Sequence, residues 1–213
     1  MSTDFITQRR DFSDKGLDIK HFDDPIMEVK RWYNIAKEHK LKDHDAMVLS
    51  TMNNKSFPDS RVVLVRQFTK DGFIFFTNYK SNKGAQIDNN NKVSLNFYWR
   101  DIDRQIKVLG FAEKVSDVFS AAYFASRPRA SQIGAWASMQ SEELKTNEAL
   151  LNRVKEFEIK FKGQDVPKPD HWGGYLVKPI EIEFWKGQPN RLHHRLLFFK
   201  NSNENWENKR LNP

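Results

Sequence analysis

Ala46-Met47-Val48-Leu49-Ser50-Thr51-Met52, Arg61-Val62-Val63-Leu64-Val65-Arg66-Gln67 and Phe73-Ile74-Phe75-Phe76-Thr77-Asn78 are short runs rich in β-branched and aromatic residues. Asn53-Asn54, Pro58-Asp59 and Asp71-Gly72 supply turn formers around them, so the spacing predicts successive strands. Upstream, Asp24-Pro25 reads as an N-cap followed by a first-turn proline. Val29, Trp32, Tyr33 and Ala36 then follow at helical spacing and predict an amphipathic helix to about Lys40. Downstream, the pattern predicts a short helix over Asn82–Asn89 and strands over Val93–Tyr98 and Gln105–Val115. Helical patterns return at Val118–Ser126 and along Leu150, Val154, Phe157 and Phe161. Pro167, Pro169 and Gly173-Gly174 read as a linker, before closing strands at Tyr175–Trp185, Arg191–Lys200 and Asn205–Arg210. This order predicts a mainly β fold with flanking helices, built as a mostly antiparallel barrel.

A chain of 213 residues with seventeen Phe, six Trp and five Tyr has enough large apolar groups to fill the core of one domain. The absence of cysteine excludes disulfides, thiolate zinc sites and a cysteine nucleophile, so redox chemistry would need a bound cofactor. No run approaches the ~18–20 apolar residues of a membrane span. Met1 to Lys20 is charged throughout and is no secretory signal, so a cytoplasmic protein is expected. The net charge of +7 favours anionic partners. Its basic residues are spread out and form no block, which weighs against nucleic acid. GxGxxG, GxxxxGK and HExxH are all missing, and six scattered histidines argue against a metal site. Phosphate would therefore be held by arginine, lysine, hydroxyls and backbone amides.

Four stretches concentrate such groups. Ile182-Glu183-Phe184-Trp185 and Arg191-Leu192-His193-His194-Arg195 read as two strands of a hairpin. Strand alternation would put Arg191, His193 and Arg195 on one face, suiting an anionic planar ligand that exchanges protons. A basic edge strand kept charged against aggregation is the plain alternative. Arg61 to Arg66 is an apolar strand bounded by arginines, or simply a core strand with solvated ends. Phe76-Thr77-Asn78 with Ser81-Asn82-Lys83 places a hydroxyl and an ammonium at a helix start, a phosphate cradle or an ordinary cap. In Tyr123 to Trp136, Tyr123 and Arg127 stand at i and i+4; Pro128 interrupts, and Ser131 can return to the same point. A phenol, a guanidinium and a hydroxyl there suit a phosphate monoester, although each alone fits a capped helix end.

Together, from about Arg9 to the end, these motifs resemble in order the pyridoxine (pyridoxamine) 5′-phosphate oxidase family. The resemblance implies an FMN-binding split β-barrel over residues 25–213, after a flexible N-terminal segment over residues 1–24. It implies oxidation of pyridoxamine and pyridoxine 5′-phosphates to pyridoxal 5′-phosphate with FMN and O2, releasing H2O2. FMN would be bound by Arg61, Val62, Val63, Leu64, Val65, Arg66, Phe76, Thr77, Asn82, Lys83, Gln105, Gln140, Ser141, Trp185 and Arg195. Arg66, Tyr123, Arg127 and Ser131 would take the substrate phosphate, and Arg191, Leu192 and His193 the ring, with Arg191 and His193 catalytic. Arg9 and Phe12 would lie in a segment covering the substrate. A homodimer with FMN at its interface is implied, with no metal, nucleic acid or membrane partner. Some positions depart from the family pattern: Arg66 stands for lysine, Asn82 for arginine and Phe12 for tyrosine. Lys186 is unexpected, and His194 replaces an acidic or amide residue, removing an acceptor beside Arg195. Two alternatives remain open: a split-barrel flavoprotein with another substrate, or a non-enzymatic basic barrel binding nucleic acid or a phosphorylated vitamer.

Overall fold

The computed structural model describes Phe12 and residues 16–213. Two compact units emerge: Met1–His44 with Phe97–Lys107 and Glu181–Pro213, the terminal unit, and Asp45–Asn96 with Val108–Ile180, the central unit. The strands are β1 (Ala46–Met52), β2 (Pro58–Leu64), β3 (Gln67–Thr69), β4 (Gly72–Asn78), β5 (Lys92–Trp99), β6 (Arg104–Lys114), β7 (Trp172–Lys186), β8 (His194–Lys200) and β9 (Trp206–Leu211). The helices are α1 (Pro25–Glu38), α2 (Asn82–Asn89), α3 (Asp117–Ala125), α4 (Arg129–Ala137) and α5 (Asn147–Lys160). Hydrogen-bonded neighbours run β2-β1-β5-β6-β7-β4-β3, with β8 on β7 and β9 on β8. The β1–β2, β1–β5, β3–β4, β4–β7, β7–β8 and β8–β9 ladders are antiparallel. The expected mainly β fold with flanking helices is therefore what the chain adopts.

In the terminal unit, the Asp24 carboxylate accepts the Met27 N–H at 3.0 Å and starts α1. Val29, Trp32 and Ala36 are fully buried at helical spacing, and the Trp32 ring meets Phe184 of β7 edge-on at 5.1 Å. The preceding segment is tied to the same helix. Lys20 and His21 N–H groups donate to the buried Glu28 carboxylate, and the Asp18 carbonyl accepts from Arg31 and Trp32.

In the central unit, Phe124, Ile133, Phe161, Val166 and Trp172 form a core against which Phe76, Tyr123, Trp136 and Phe157 pack. Three expectations fail here. The second strand is Pro58–Leu64, so Arg66 lies beyond it: Val65 N–H bonds Asp45 O, and Arg66 N–H bonds Ile74 O as the chain crosses toward β4. Val62 is 65% exposed, so this is no core strand; only Val65 of the run is buried. Gly173-Gly174 is no linker but lies within β7, opposite Thr77 and Phe76. A Cβ on Gly174 would sit 2.9 Å from the Phe76 ring, and one on Gly173 would overlap the Tyr79 phenol. Helix α4 goes unnoticed in the sequence because Pro128, an interruption to α3, also opens a new helix immediately.

The closing hairpin differs too. Asn190 and Arg191 have φ of 55° and 63°, so Arg191 belongs to a turn, and β8 begins only at His194. Strand alternation therefore cannot place Arg191 and His193 on one face with Arg195.

Candidate active site

The central unit gathers anion-binding groups around β4 and α2. Ser81 caps α2, its hydroxyl accepting the Gly84 N–H. Gly84 itself has no room for a side chain, since a Cβ would lie 2.0 Å from the Tyr79 carbonyl. The preceding residue, Lys83, is 8% exposed; its ammonium donates to Thr77 Oγ1 at 3.2 Å, Ser81 Oγ at 3.1 Å and Gln140 Oε1 at 3.0 Å. Burial pushes this ammonium down to about 8, Arg61 pushes it the same way, and Asp59 opposes them. Arg61 is fixed in turn: it donates to Thr51, the Leu49 carbonyl and Gln86 Oε1, and pairs with Asp59 at 2.6 Å. Asn82 and Ser141 are exposed, and the Asn82 N–H donates to Ser141 Oγ at 3.2 Å.

A buried ammonium whose hydrogen-bond partners are neutral oxygens, facing a second cation, is electrostatically incomplete. A phosphate monoester supplies the missing charge, so the donor set here fits the phosphate of FMN.

Elsewhere in this unit, Phe76 and Tyr123 stack at 3.9 Å. The guanidinium of Arg127 lies over Trp172 at 4.6 Å and Phe124 at 5.4 Å. Its Nη1 is buried without a partner among the described residues. Burial pushes Arg127 down from its ordinary value; Tyr123 opposes this and the charge of Arg66 adds to it. Arg66, Tyr123 and Arg127 thus share one field, although α3 ends before Arg127 and the helical i, i+4 face does not extend to it. Arg66 is held by Asp45 at 2.8 Å. Ser131 sits exposed in the first turn of α4. Asp45 and Asp59, the carboxylates that hold the two arginines, are not evident in the sequence: Asp45 lies far along the chain from Arg66, and Asp59, two residues before Arg61 in β2, reads there as a turn former.

In the terminal unit, Gln105, Trp185 and Arg195 line one recess of about 270 Å³ with Lys107, Glu183 and Pro213. Arg195 donates to Glu183 at 2.6 Å and to the Asn212 carbonyl at 3.0 Å. Burial pushes Glu183 up, but its bonds to Arg195 and Lys107 prevail and hold it below the usual carboxylate range. Arg195 is therefore oriented without an acceptor at position 194. His194 has a different duty, its Nδ1 accepting the Leu17 N–H at 3.1 Å. Its cross-strand partner Lys186 is buried, donates to the Ile102 carbonyl at 2.9 Å, and lies 3.9 Å from Asp103.

His193 stands beside Trp185, ring centroids 4.7 Å apart, and Phe12 meets both rings edge-on. Gly187 gives Phe12 this room, since a Cβ there would lie 2.3 Å from its ring. His193 Nδ1 accepts the Gln188 N–H at 3.1 Å, so the neutral ring carries its proton on Nε2. Burial and then Arg191 push its pKa down, which favours that neutral form. Arg191 and Leu192 are exposed. Arg9 lies outside the described residues. Among those described, no cluster of three potential metal ligands occurs, and no helix is long and apolar enough to cross a membrane.

Comparison with known proteins adds the following. A family model described as pyridoxamine 5′-phosphate oxidase matches residues 36–161. A second, described as the pyridoxine 5′-phosphate oxidase C-terminal dimerisation region, matches residues 172–213. Pyridoxine/pyridoxamine 5′-phosphate oxidase 2 of Hydrogenovibrio crunogenus is 43% identical, covering 100% of both chains. The Colwellia psychrerythraea pyridoxine/pyridoxamine 5′-phosphate oxidase is 47% identical over 89% of this chain and 87% of its own. Among solved structures, PhzG from Burkholderia lata, in complex with tetrahydrophenazine-1-carboxylic acid, superposes with a TM-score of 0.86 at 28% identity, covering 92% of this chain and 98% of that one. A pyridoxamine 5′-phosphate oxidase-related, FMN-binding protein from Nostoc punctiforme shares the fold, with a TM-score of 0.68 at 16% identity over 87% and 96%.

Proposed function

The chain belongs to the pyridoxamine 5′-phosphate oxidase family, an FMN-dependent oxidoreductase whose C-terminal region is a dimerisation region, and on that premise we propose that it oxidises pyridoxamine 5′-phosphate and pyridoxine 5′-phosphate to pyridoxal 5′-phosphate. FMN, when bound, would supply the acceptor for a hydride from substrate C4′ and pass its two electrons to O2, which with that hydrogen and one further proton gives H2O2. The alcohol also gives up its hydroxyl proton to become the aldehyde, and the amine becomes an imine that water hydrolyses with release of ammonia. The observation that carries the substrate assignment is the buried, unpartnered Nη1 of Arg127, in a field shared with Arg66 and Tyr123. Such a cation is complemented by a phosphate monoester and not by an uncharged ring.

In this proposal Lys83, Thr77, Arg61 and the start of α2, with Asn82 and Ser141, hold the cofactor phosphate. Gln105, Trp185 and Arg195 meet the flavin. Arg127, Tyr123, Ser131 and Arg66 fix the substrate phosphate, and Arg191, Leu192 and His193 its ring. The proton on His193 Nε2 makes that residue a donor, so its neutral form orients an acceptor on the substrate and is not poised there as a base. Phe12, and Arg9 beyond the described residues, exclude water from the ring. The homodimer would carry FMN at its interface.

Anaerobic mixing of the FMN-loaded protein with pyridoxamine 5′-phosphate tests the assignment. Bleaching of the flavin, restored by air with release of pyridoxal 5′-phosphate, is expected. Flavin that no phosphorylated vitamer bleaches would require another substrate.

Two variants probe its parts. Asn82→Arg adds a cation at the exposed first residue of α2 and is expected to tighten FMN about tenfold, on the scale of one hydrogen bond to a charged group. A fluorescence titration in which it binds no tighter would remove Asn82 from the cradle. Arg191→Leu removes the charge that helps keep His193 neutral. The acid limb of kcat/KM is then expected to move to higher pH, because the imidazole gains its second proton sooner; an unmoved limb would show that the two are uncoupled.

A further inference from the structure

Tyr123, Arg127 and Ser131 stand on three pieces of chain: α3, the junction after it and the first turn of α4. Helix α3 ends at Ala125, so its own ladder does not fix Arg127 relative to Tyr123. The last carbonyls of such a helix also need donors from outside it. One side chain answers both needs. Gln132 of α4 is buried, and its carboxamide reaches back to the Phe124 carbonyl at 2.9 Å and the Ala125 carbonyl at 3.2 Å. Both partners are acceptors, so the NH2 end of the carboxamide faces them. The Phe124 carbonyl also accepts the Arg127 N–H at 3.1 Å, and the Ser131 and Gln132 N–H groups both donate to the Pro128 carbonyl. The Gln132 side chain and the Arg127 backbone thus share one acceptor.

We infer that Gln132 is a positioning residue for the substrate-phosphate clamp: by closing the end of α3 onto the first turn of α4, it fixes where Arg127 leaves the chain relative to Tyr123 and Ser131. The inference rests on the assignment of those three residues to the substrate phosphate. The Gln132 NH2 group is committed to the backbone, so the residue acts through Arg127. The arginine has a long, rotatable stem, and its guanidinium lies over Trp172 and Phe124. A loosened Phe124–Arg127 turn would move the root of that stem and one of the two rings beneath its charge. Displacing a binding group by about 1 Å can cost on the order of a hundredfold. The same turn of α4 holds a natural contrast. Arg129 donates to the Phe161 carbonyl at 2.5 Å and the Gln164 carbonyl at 2.9 Å, closing the end of α5, a helix that carries none of the proposed ligands. Arg129 and Gln132 are therefore similar caps on two helices, and only one of those helices leads into the clamp.

The test compares FMN-loaded, full-length Gln132→Met and Arg129→Met with wild type, by thermal unfolding and by steady-state oxidation of pyridoxine 5′-phosphate and pyridoxine. Methionine keeps the length of glutamine and deletes the donor. Gln132→Met is expected to raise KM for the phosphate ester about tenfold, with kcat changed much less and kcat/KM for pyridoxine unchanged. Arg129→Met is expected to lower the unfolding temperature and leave KM within about twofold of wild type. In an Arg127→Leu chain, adding Gln132→Met is expected to raise KM no further, because the residue it positions is gone. Gln132→His keeps an Nε2 donor the same number of bonds from Cβ and is expected to hold KM within about threefold of wild type. A tenfold rise there would overturn the donor's role even if the methionine chain did not fold. An unchanged KM in Gln132→Met, an equal loss with both vitamers, or an equal rise in Arg129→Met makes Gln132 a plain cap and overturns the inference while the clamp stands. If Arg127→Leu itself fails to distinguish the phosphorylated from the dephosphorylated vitamer, the clamp is wrong and the inference falls with it.

Discussion

A Lys83→Met chain is expected to hold FMN roughly a hundredfold more weakly than the parent, about 3 kcal/mol, the scale of hydrogen bonds to a charged group. Methionine keeps the length and apolar stem of the side chain and deletes only the ammonium, so the core around α2 has no new volume to accommodate. Thr77, Ser81 and Gln140 lose a common donor, yet no charge is stranded among them. Relief of the repulsion between Lys83 and Arg61 offsets part of the loss, which keeps the expected figure below the sum of the bonds. The pH dependence identifies the group. In the free parent the ammonium deprotonates near 8, so FMN affinity is level below that pH and falls as pH rises through it. Binding of the anion raises the ammonium's pKa, so one proton is taken up on binding above 8. The methionine variant lacks this proton and is expected to show a flat profile over the same range. Fluorescence titrations of FMN and riboflavin between pH 6.5 and 9 check both points. Equal FMN affinity in the two proteins would place the phosphate elsewhere.

Arg127→Leu is expected to raise KM for pyridoxine 5′-phosphate by about a hundredfold with FMN content unchanged. The guanidinium packs its plane on Trp172 and Phe124, a contact that leucine largely preserves. What leucine cannot supply is the buried Nη1 donor or the positive charge beside Arg66. The loss should therefore fall on substrates with a phosphate. Steady-state rates with phosphorylated and dephosphorylated vitamers separate binding from structure. A loss confined to the phosphorylated compounds assigns Arg127 to the phosphate, and an equal loss on both would make it a packing residue. Because the clamp acts before and during the chemical step, kcat at saturating substrate should fall much less than kcat/KM.

Periodicity made most of the fold legible. Ala46–Met52 and Asn82–Asn89 were delimited to the residue, because turn formers or a cap bound each run. The misplacements share a cause: local chemistry there has two outcomes, and tertiary packing chooses. Gly-Gly resembles a linker, yet at Gly173-Gly174 it makes room in a strand for the rings of Tyr79 and Phe76. Pro128 resembles a stop and is also a start. Val62 to Val65 is uniformly apolar, so its sequence does not show that the ladder with β1 ends at Leu64 and that Arg66 has crossed toward β4. Arg191 has the spacing of a strand residue but takes a left-handed turn that alternation cannot reveal. Lys83, Thr77 and Tyr123 fall inside the elements their motifs predict, whereas Arg127 lies between α3 and α4, where its motif does not show an element. Asp45, Asp59 and Glu183, which hold Arg66, Arg61 and Arg195, were not legible, since a supporting carboxylate carries no motif of its own.

Phe76 and Thr77 are consecutive residues of β4, so their side chains leave opposite faces of the strand. One stacks on Tyr123 and the other accepts from Lys83. The two proposed anion sites are thus phased by a single pleat. Sliding β4 by one residue along β7 would exchange the faces of Phe76 and Thr77, spoiling both sites in one event even if every charged residue survived. A one-residue insertion or deletion within β4 would therefore disturb both proposed sites together, because the side chains that build them are counted along the same strand.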